Sequence, residues 1–199
     1  MYQNIAVLLS GNGSNLKAII DKGIKVSFVV SNNSKALGLK IAKNANIPSY
    51  TWDNVSELEK EVLKLINEYN VKLLVLAGFM KLLSRNFVTS LPSKFIVNIH
   101  PSLLPKYRGR YSLVHSIANG EKYAGLTSHW IGKEIDLGKI ISKKRIIISK
   151  EDTGGTLYRK FTGSAIKEFK KIFLNIIQGK KIKTYKPKKG VTRYKNKHF

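Results

Sequence analysis

The sequence contains no cysteine, no long apolar run and few acidic residues. Without cysteine, the chain can form neither a disulfide framework nor a thiolate metal site. No apolar run approaches the roughly 18 residues that span a bilayer, and no basic stretch leads into one at the N-terminus. We therefore expect no membrane span, no signal peptide and a cytoplasmic location. The histidines lie far apart without metal-ligand spacing, so we expect no metal.

The shortage of acidic residues leaves a large positive charge. The chain has 36 Lys and Arg residues against 12 Asp and Glu residues, a formal net charge of +24. Such a charge favours anionic partners, either a nucleic acid or a phosphorylated small molecule. The lysines are spread along the whole chain, apart from a dense basic tail at residues 181–199. Dispersed lysines are not typical of a nucleic-acid groove, and the small molecule is therefore the preferred partner.

The first half of the chain predicts a parallel sheet. Apolar extended runs alternate with helical patterns, and near-continuous Val, Ile and Leu runs are typical of strands buried on both faces. We therefore predict an α/β fold: a doubly wound, mostly parallel sheet flanked by helices. The expected elements are Ile5–Leu9, Asn15–Lys22, Val26–Val30, Lys35–Asn44, Val55–Tyr69, Leu73–Leu76, Ser84–Ser90 and Phe95–Asn98.

The second half predicts an antiparallel edge on this sheet. The expected elements are a helix at Tyr111–Asn119, strands at Leu126–Ile131 and Lys139–Ile148, and a long helix at Thr153–Gln178. Gly163 is a candidate interruption of the long helix. With 43% hydrophobic residues, the chain can bury one substantial core. We predict a single domain at residues 1–180 and a basic C-terminal tail at residues 181–199.

Asn98 and His100 end a short apolar strand, just before a proline-bounded loop. Side chains on an extended segment alternate, so these two point the same way while Ile99 turns into the core. A hydrogen-bond donor beside a group that moves protons near neutral pH suits a reaction in which a carbonyl becomes an oxyanion and an amine loses its proton. The pair is also typical of polar groups that merely end a strand.

A glycine-containing turn at residues 11–15 joins the first strand to the first helix. Open parallel sheets bind ligands at this end of their strands. The two glycines let the backbone approach an anion closely, and the N–H groups that open a helix favour negative charge. The turn is not the dinucleotide fingerprint, because Leu16 replaces the third glycine. It predicts an anion cradle or, alternatively, a tight turn without a ligand.

Two further segments carry candidate site residues. After the fourth predicted strand, Gly78 is followed by apolar residues that suit one wall of a cleft for a flat heterocycle, although core packing explains them equally well. Asp136 lies in a loop between two predicted strands, from where a carboxylate can reach an imidazole, orient it and favour its charged form. A solvated loop aspartate is the alternative.

Four segments, in order, resemble the folate-dependent formyltransferases. They are SGNGSNL within Ile5–Ile20, AGFMKLL at Ala77–Leu83, NIHPSLLPKY at Asn98–Tyr107, and the TSH and IDLG motifs within Thr127–Gly138. The resemblance extends over about residues 4–180. NIHPSLLP is typical of formyl transfer from 10-formyltetrahydrofolate, and SGNGSNL indicates a ribonucleotide acceptor.

The resemblance implies formyl transfer from the co-substrate 10-formyltetrahydrofolate to a primary amine, with glycinamide ribonucleotide of purine biosynthesis as the expected acceptor. It implies that Asn98 binds the formyl oxygen, that His100 acts as acid or base, and that Asp136 holds and charges the imidazole. It implies a substrate phosphate site at Gly11, Asn12, Gly13, Ser14 and Asn15. The implied folate site comprises Asn98, Met80, Lys81, Leu82, Leu83, Gly132, Lys133, Glu134, Ile135 and Asp136.

Departures from the family pattern fall on the acceptor side. Arg108-Gly109 stands where Pro-Gly is usual, and it resembles the transfer-RNA and amino-sugar formyltransferases. A second hypothesis is therefore a formyltransferase that acts on an amino-sugar nucleotide or another amine. A third, supported only by the charge and the tail, is a non-catalytic nucleic-acid-binding protein. In the first two, the partners are a phosphorylated amine and folate, no membrane is involved, and the protein is a monomer or homodimer.

Overall fold

A computed structural model of the protein describes residues 4–134, 136–178, 180 and 182–187. Within these residues, the strands form one sheet in the order β3-β2-β1-β4-β5-β6-β7. The strands are Ile5–Leu9 (β1), Val26–Ser31 (β2), Ser49–Thr51 (β3), Leu73–Leu76 (β4), Ile96–His100 (β5), Tyr123–Trp130 (β6) and Ile140–Ile147 (β7). Strands β1 to β5 pair in parallel, whereas β6 is antiparallel to both β5 and β7. The predicted sheet, including its antiparallel edge, is confirmed.

Helices cover both faces of this sheet, as expected for a doubly wound fold. They are Ser14–Ile20 (α1), Leu37–Asn44 (α2), Val55–Glu68 (α3), Arg85–Ser90 (α4), Ser112–Ala118 (α5) and Gly154–Ile177 (α6). Both faces of strand β1 are apolar because each packs against a layer of helices. Ile5, Val7 and Leu9 join a core with α1, α2, α5 and α6, whereas Ala6 and Leu8 join a second core with α3 and α4.

Three details differ from the sequence prediction. The short edge strand β3 was not predicted, because its residues are mostly exposed and form no apolar run. Strand β6 begins at Tyr123 rather than Leu126, since its pairing with β7 extends to Ile147. Helix α6 continues through Gly163 without a break. These differences follow from strand pairing and packing, which local sequence patterns do not contain.

The chain beyond α6 returns to the sheet. The N–H of Ile140 donates to the carbonyl of Tyr185, and the N–H of Tyr185 donates back to Ile140, at 2.8 and 3.1 Å. Ile182 packs against the larger core. The part of the predicted tail that the structure describes therefore contacts the domain, while the boundary at residue 180 stays a prediction.

The strand order places the candidate site. It reverses between β1 and β4, so the turn after β1 and the segment after β4 lie side by side at the carboxyl edge of the sheet. Open α/β sheets bind ligands at such a reversal. Strand β5 lies beside β4 and brings its own carboxyl end to the same edge.

Candidate active site

A cleft of about 390 Å³ opens at the carboxyl ends of β1, β4 and β5. Its walls come from the turn after β1, the segment after β4, the end of β5 and the loop between β6 and β7. The residues predicted from sequence that line it are Gly11, Asn12, Gly13, Ser14, Asn15, Met80, Lys81, Leu82, Leu83, Asn98, His100, Gly132, Lys133, Glu134 and Asp136. Ile135 lies outside the described residues. The structure therefore brings together four segments that are distant in sequence.

Asn98 and His100 reach the cleft because β5 is extended. Alternation along the strand places their side chains on one face, while Ile99 packs into the core. His100 is only 4% exposed, so its ring is largely removed from water. The amide and the imidazole therefore form one corner of the cleft, as the sequence predicted.

The ring of His100 lies between two hydrogen-bond acceptors. Its Nδ1 is 3.4 Å from Oδ2 of Asp136, and its Nε2 is 2.8 Å from the carbonyl oxygen of Tyr107. A neutral imidazole has one N–H and can satisfy only one acceptor. The bond to the Tyr107 carbonyl requires a proton on Nε2, and Nδ1 is turned towards the carboxylate.

Tyr107 is itself held in place by a carboxylate. Its hydroxyl donates to Oε1 of Glu121 at 2.9 Å, and Nζ of Lys106 donates to the same oxygen at 2.7 Å. Burial and the hydrogen bond to Glu121 raise the pKa of Tyr107 to about 12, whereas the bond from Lys106 lowers the pKa of Glu121. The phenol therefore stays protonated, and the backbone that accepts from His100 is fixed through its side chain.

Asp136 links His100 to two groups that the sequence did not indicate. Its Oδ2, which faces His100, accepts a hydrogen bond of 2.8 Å from the N–H of Gly109. Its Oδ1 lies 3.6 Å from Nε2 of His129. Asp136 is 8% exposed and adopts a left-handed backbone with φ 54°, a conformation that Asp tolerates better than most residues. The loop therefore presents a nearly buried carboxylate to two imidazoles and one N–H group.

His129 is fully buried directly opposite Asn98 on the neighbouring strand. Burial lowers the pKa of His129, the charge of Asp136 opposes this shift, and the nearby His100 adds to it. The ring of His129 is therefore neutral at neutral pH. Its place beside Asn98 depends on antiparallel pairing between β5 and β6, so no local sequence signal could have revealed it.

Gly13 in the turn after β1 is required for packing. It has φ 71°, and a Cβ atom here would lie 2.5 Å from the Cα of Gly38. By contrast, a Cβ on Gly11 would meet nothing within 4 Å. The turn is thus pressed against the start of α2, which explains one of its two glycines without any ligand. Among the described residues no side chain caps α1, so the N–H groups that open this helix border the cleft.

The segment after β4 forms an apolar wall. Met80 is 55% exposed and Leu82 is 63% exposed, although both line the cleft. The segment is anchored at both ends: the N–H of Met80 donates to Oγ of Ser10 at 2.8 Å, and Ser84 donates twice to the buried Glu59. A fixed, exposed apolar wall is suited to an aromatic or heterocyclic ligand.

Sequence reasoning missed Arg85 and Val88 of α4, which line the cleft, and two further regions. The first is the segment before α5, where Arg110 stacks its guanidinium 5.3 Å from the ring of Tyr111. The second is one face of α6, with Tyr158, Phe161 and Thr162. The α6 residues follow a helical apolar pattern that also predicts core packing, so the sequence could not separate the two roles.

Within the part of the chain that the structure describes, no group of three His, Asp or Glu side chains could hold a metal ion. Among the described helices, none is both long and apolar enough to cross a membrane.

Comparison with known proteins gives a consistent result. A protein-family model described as Formyl transferase matches residues 3–172. The phosphoribosylglycinamide formyltransferase of Escherichia coli (strain K12) is 38% identical over 162 residues, which cover 75% of this chain and 76% of that protein.

Solved structures show the same similarity. The phosphoribosylglycinamide formyltransferase from Anaplasma phagocytophilum has a TM-score of 0.83 at 34% identity, covering 90% of this chain and 88% of that one. Its counterpart from Coxiella burnetii has a TM-score of 0.80 at 36% identity, covering 88% and 87%. The similarity in fold therefore extends over most of the chain.

Proposed function

Because this chain belongs to the formyl transferase family, we propose that its cleft transfers a formyl group from 10-formyltetrahydrofolate to the amine of glycinamide ribonucleotide, in purine biosynthesis. The observation that carries the proposal is the approach of His100 Nδ1 to Asp136 Oδ2, 3.4 Å apart, in the same cleft as Asn98. A charged imidazole beside an amide donor is suited to stabilising the oxyanion of acyl transfer to an amine.

In the proposed reaction, the amine nitrogen forms a bond to the formyl carbon, and the bond from that carbon to N10 of the folate breaks. The proton lost by the amine ends on N10. The amide of Asn98 donates to the carbonyl oxygen as that oxygen gains negative charge. Both ring nitrogens of His100 face protein acceptors. We propose that Asp136 holds the ring in its charged form and that this charge helps to stabilise the oxyanion. Proton transfer through Nε2 requires its contact with the Tyr107 carbonyl to open.

The acceptor phosphate is proposed to bind at Gly11, Asn12, Gly13, Ser14 and Asn15. Support comes from the position of this turn in the cleft and from the backbone N–H groups that open α1 there. The backbone N–H groups and the hydroxyl of Ser14 can donate hydrogen bonds to the oxygens of a phosphate. The large positive charge of the chain attracts such a substrate from solution.

The pterin ring is proposed to bind between two walls. One is the apolar segment Met80, Lys81, Leu82 and Leu83, with Asn98 beside it. The other is Gly132, Lys133, Glu134, Ile135 and Asp136, whose backbone offers donors and acceptors to a heterocycle edge. This second loop is closely packed at its base, where a Cβ on Gly138 would lie 1.6 Å from the Trp130 carbonyl oxygen. Such packing supports a preformed wall.

A second acceptor class has one observation in its favour. Arg108 stands where proline is usual for a glycinamide ribonucleotide acceptor, and the next residue, Gly109, contacts Asp136 directly. A change in this segment therefore lies next to the reacting groups. An amino-sugar nucleotide or another primary amine is the alternative acceptor.

The test is an acceptor panel. The protein is incubated with 10-formyltetrahydrofolate and, separately, with glycinamide ribonucleotide or amino-sugar nucleotides, and formation of deformylated folate is followed. We expect rapid turnover with glycinamide ribonucleotide. Faster turnover with an amino-sugar nucleotide would identify that compound as the acceptor, and the proposed formyl transfer from folate would still hold. If none of the amines tested is formylated, the proposal is contradicted.

The remaining partner and location predictions stand as proposals. We infer that the enzyme acts in the cytoplasm, as a monomer or homodimer, and without a metal or membrane. The nucleic-acid hypothesis is disfavoured, because the chain belongs to a family of formyl transferases.

A further inference from the structure

The hydroxyl of Ser10 joins three segments at the floor of the cleft. Ser10 follows the last residue of β1, and its Oγ donates to Oδ1 of Asn32, which follows β2, at 2.5 Å. The same oxygen accepts from the N–H of Met80, which follows β4, at 2.8 Å. A hydroxyl has one proton to donate and lone pairs to accept, so both bonds form at once. No other described side chain bonds to the N–H of Met80.

The backbone of Ser10 makes the same connection. Its N–H donates to the carbonyl of Gly78 at 3.2 Å, and its carbonyl accepts from the side chain of Asn33 at 3.2 Å. The next residue, Gly11, begins the turn proposed for the acceptor phosphate, and Met80 begins the wall proposed for the pterin. One residue therefore lies between the two halves of the cleft and contacts both.

We propose that Ser10 is a positioning residue that couples the two halves, so that a ligand on either side raises the affinity for the other. This inference rests on the proposed function. A ligand at the glycine turn fixes Ser10, and a fixed hydroxyl holds the N–H of Met80 in place. The folate then binds to a Met80 segment that is already ordered, so its binding has a smaller entropic cost. Linkage requires the effect to be equal in both directions.

The coupling can be measured without turnover. Tetrahydrofolate has no formyl group, so it forms a complex with glycinamide ribonucleotide that cannot react. We measure the dissociation constant of tetrahydrofolate by calorimetry, alone and with saturating glycinamide ribonucleotide. For the unmodified protein we expect the second ligand to tighten binding about fivefold or more, within the usual range of coupling.

Ser10→Ala removes the hydroxyl, and we expect its coupling ratio to approach one. Ser10→Thr retains the hydroxyl and should keep most of the coupling. Asn32→Ala removes the acceptor that orients the hydroxyl and leaves Ser10 itself unchanged. We expect it to reduce the coupling ratio. This variant provides the test if Ser10→Ala does not fold. Ser34→Ala is the matched control, because Ser34 is exposed in the same loop and outside the cleft lining.

The outcomes separate this inference from the proposed function. If the unmodified protein transfers formyl groups but shows a ratio of one, or if Ser10→Ala and Asn32→Ala both keep the full ratio, the coupling role is refuted and the proposed function stands. If Ser10→Thr loses the ratio as Ser10→Ala does, the hydroxyl is not the cause. If no formyl transfer and no binding occur, both the proposed function and this inference are wrong.

Discussion

The N–H of Gly109 donates to the oxygen of Asp136 that also faces His100. The segment in which this chain departs from its family pattern is therefore in direct contact with the carboxylate that holds the imidazole. Gly109 has φ 83°, a region that favours glycine, so the direction of its N–H depends on this residue type. The acceptor side of the cleft and the reacting groups are thus connected through one backbone bond.

Gly109→Ala should lower kcat. A left-handed backbone costs an L-residue roughly 1–2 kcal/mol, and relaxing it turns the N–H away from Asp136. Gly23→Ala is the matched control, because Gly23 has φ 68° in a turn far from the cleft lining. We expect both variants to lose stability in urea unfolding and only Gly109→Ala to lose kcat. Equal kcat in the two variants would show that Gly109 does not contribute to the active site.

His100→Ala should lower kcat by about 10²- to 10⁴-fold and leave folate affinity nearly unchanged, since the ring serves the transition state more than the ground state. The measurements are kcat by formyl transfer and the dissociation constant of tetrahydrofolate. Lys40→Ala is the control, because Lys40 is exposed and does not line the cleft. A variant at His100 with full turnover refutes the proposed role.

Asp136→Asn should cause a smaller loss of kcat than His100→Ala. The amide keeps the shape of the side chain and can still accept from Gly109, but it has no negative charge to stabilise an imidazolium. The exposed Asp53, remote from the cleft lining, provides the control variant Asp53→Asn. If Asp136→Asn matches the control in kcat, the carboxylate does not support His100.

His129 should make the stability depend on pH. Burial lowers its pKa from 6.5 to about 4, so the unfolded chain binds a proton at higher pH than the folded protein does. This contribution to stability is complete above about pH 6.5 and is lost as pH falls towards 4. We expect a loss of about 2 kcal/mol in the free energy of unfolding between pH 7 and 5 from this group.

The measurement is urea unfolding of the unmodified protein and of His129→Gln at both pH values. Because other groups also titrate, the informative quantity is the difference between the two pH dependences. His129→Gln should show the smaller decrease. Identical decreases in the two proteins would show that burial does not lower the pKa of His129.

Local patterns were sufficient for most of the secondary structure. Runs such as Leu73–Leu76 are apolar on both faces, and burial between two helical layers follows from composition alone. They failed at β3, where three mostly exposed residues form a strand only because β2 is next to them. Pairing energy between strands is not encoded in the shorter segment itself.

The sequence by itself determined the parallel sheet, the shared face of Asn98 and His100, and the chemical types present at each strand end, because these depend on periodicity and neighbouring residues. The tertiary structure alone decided that Asp136 meets His100, Gly109 and His129, and that Ser10 meets Met80. Apart from the one between Asp136 and His129, those contacts join residues separated by long stretches of chain. Their geometry depends on strand order and loop packing, which only the folded protein fixes.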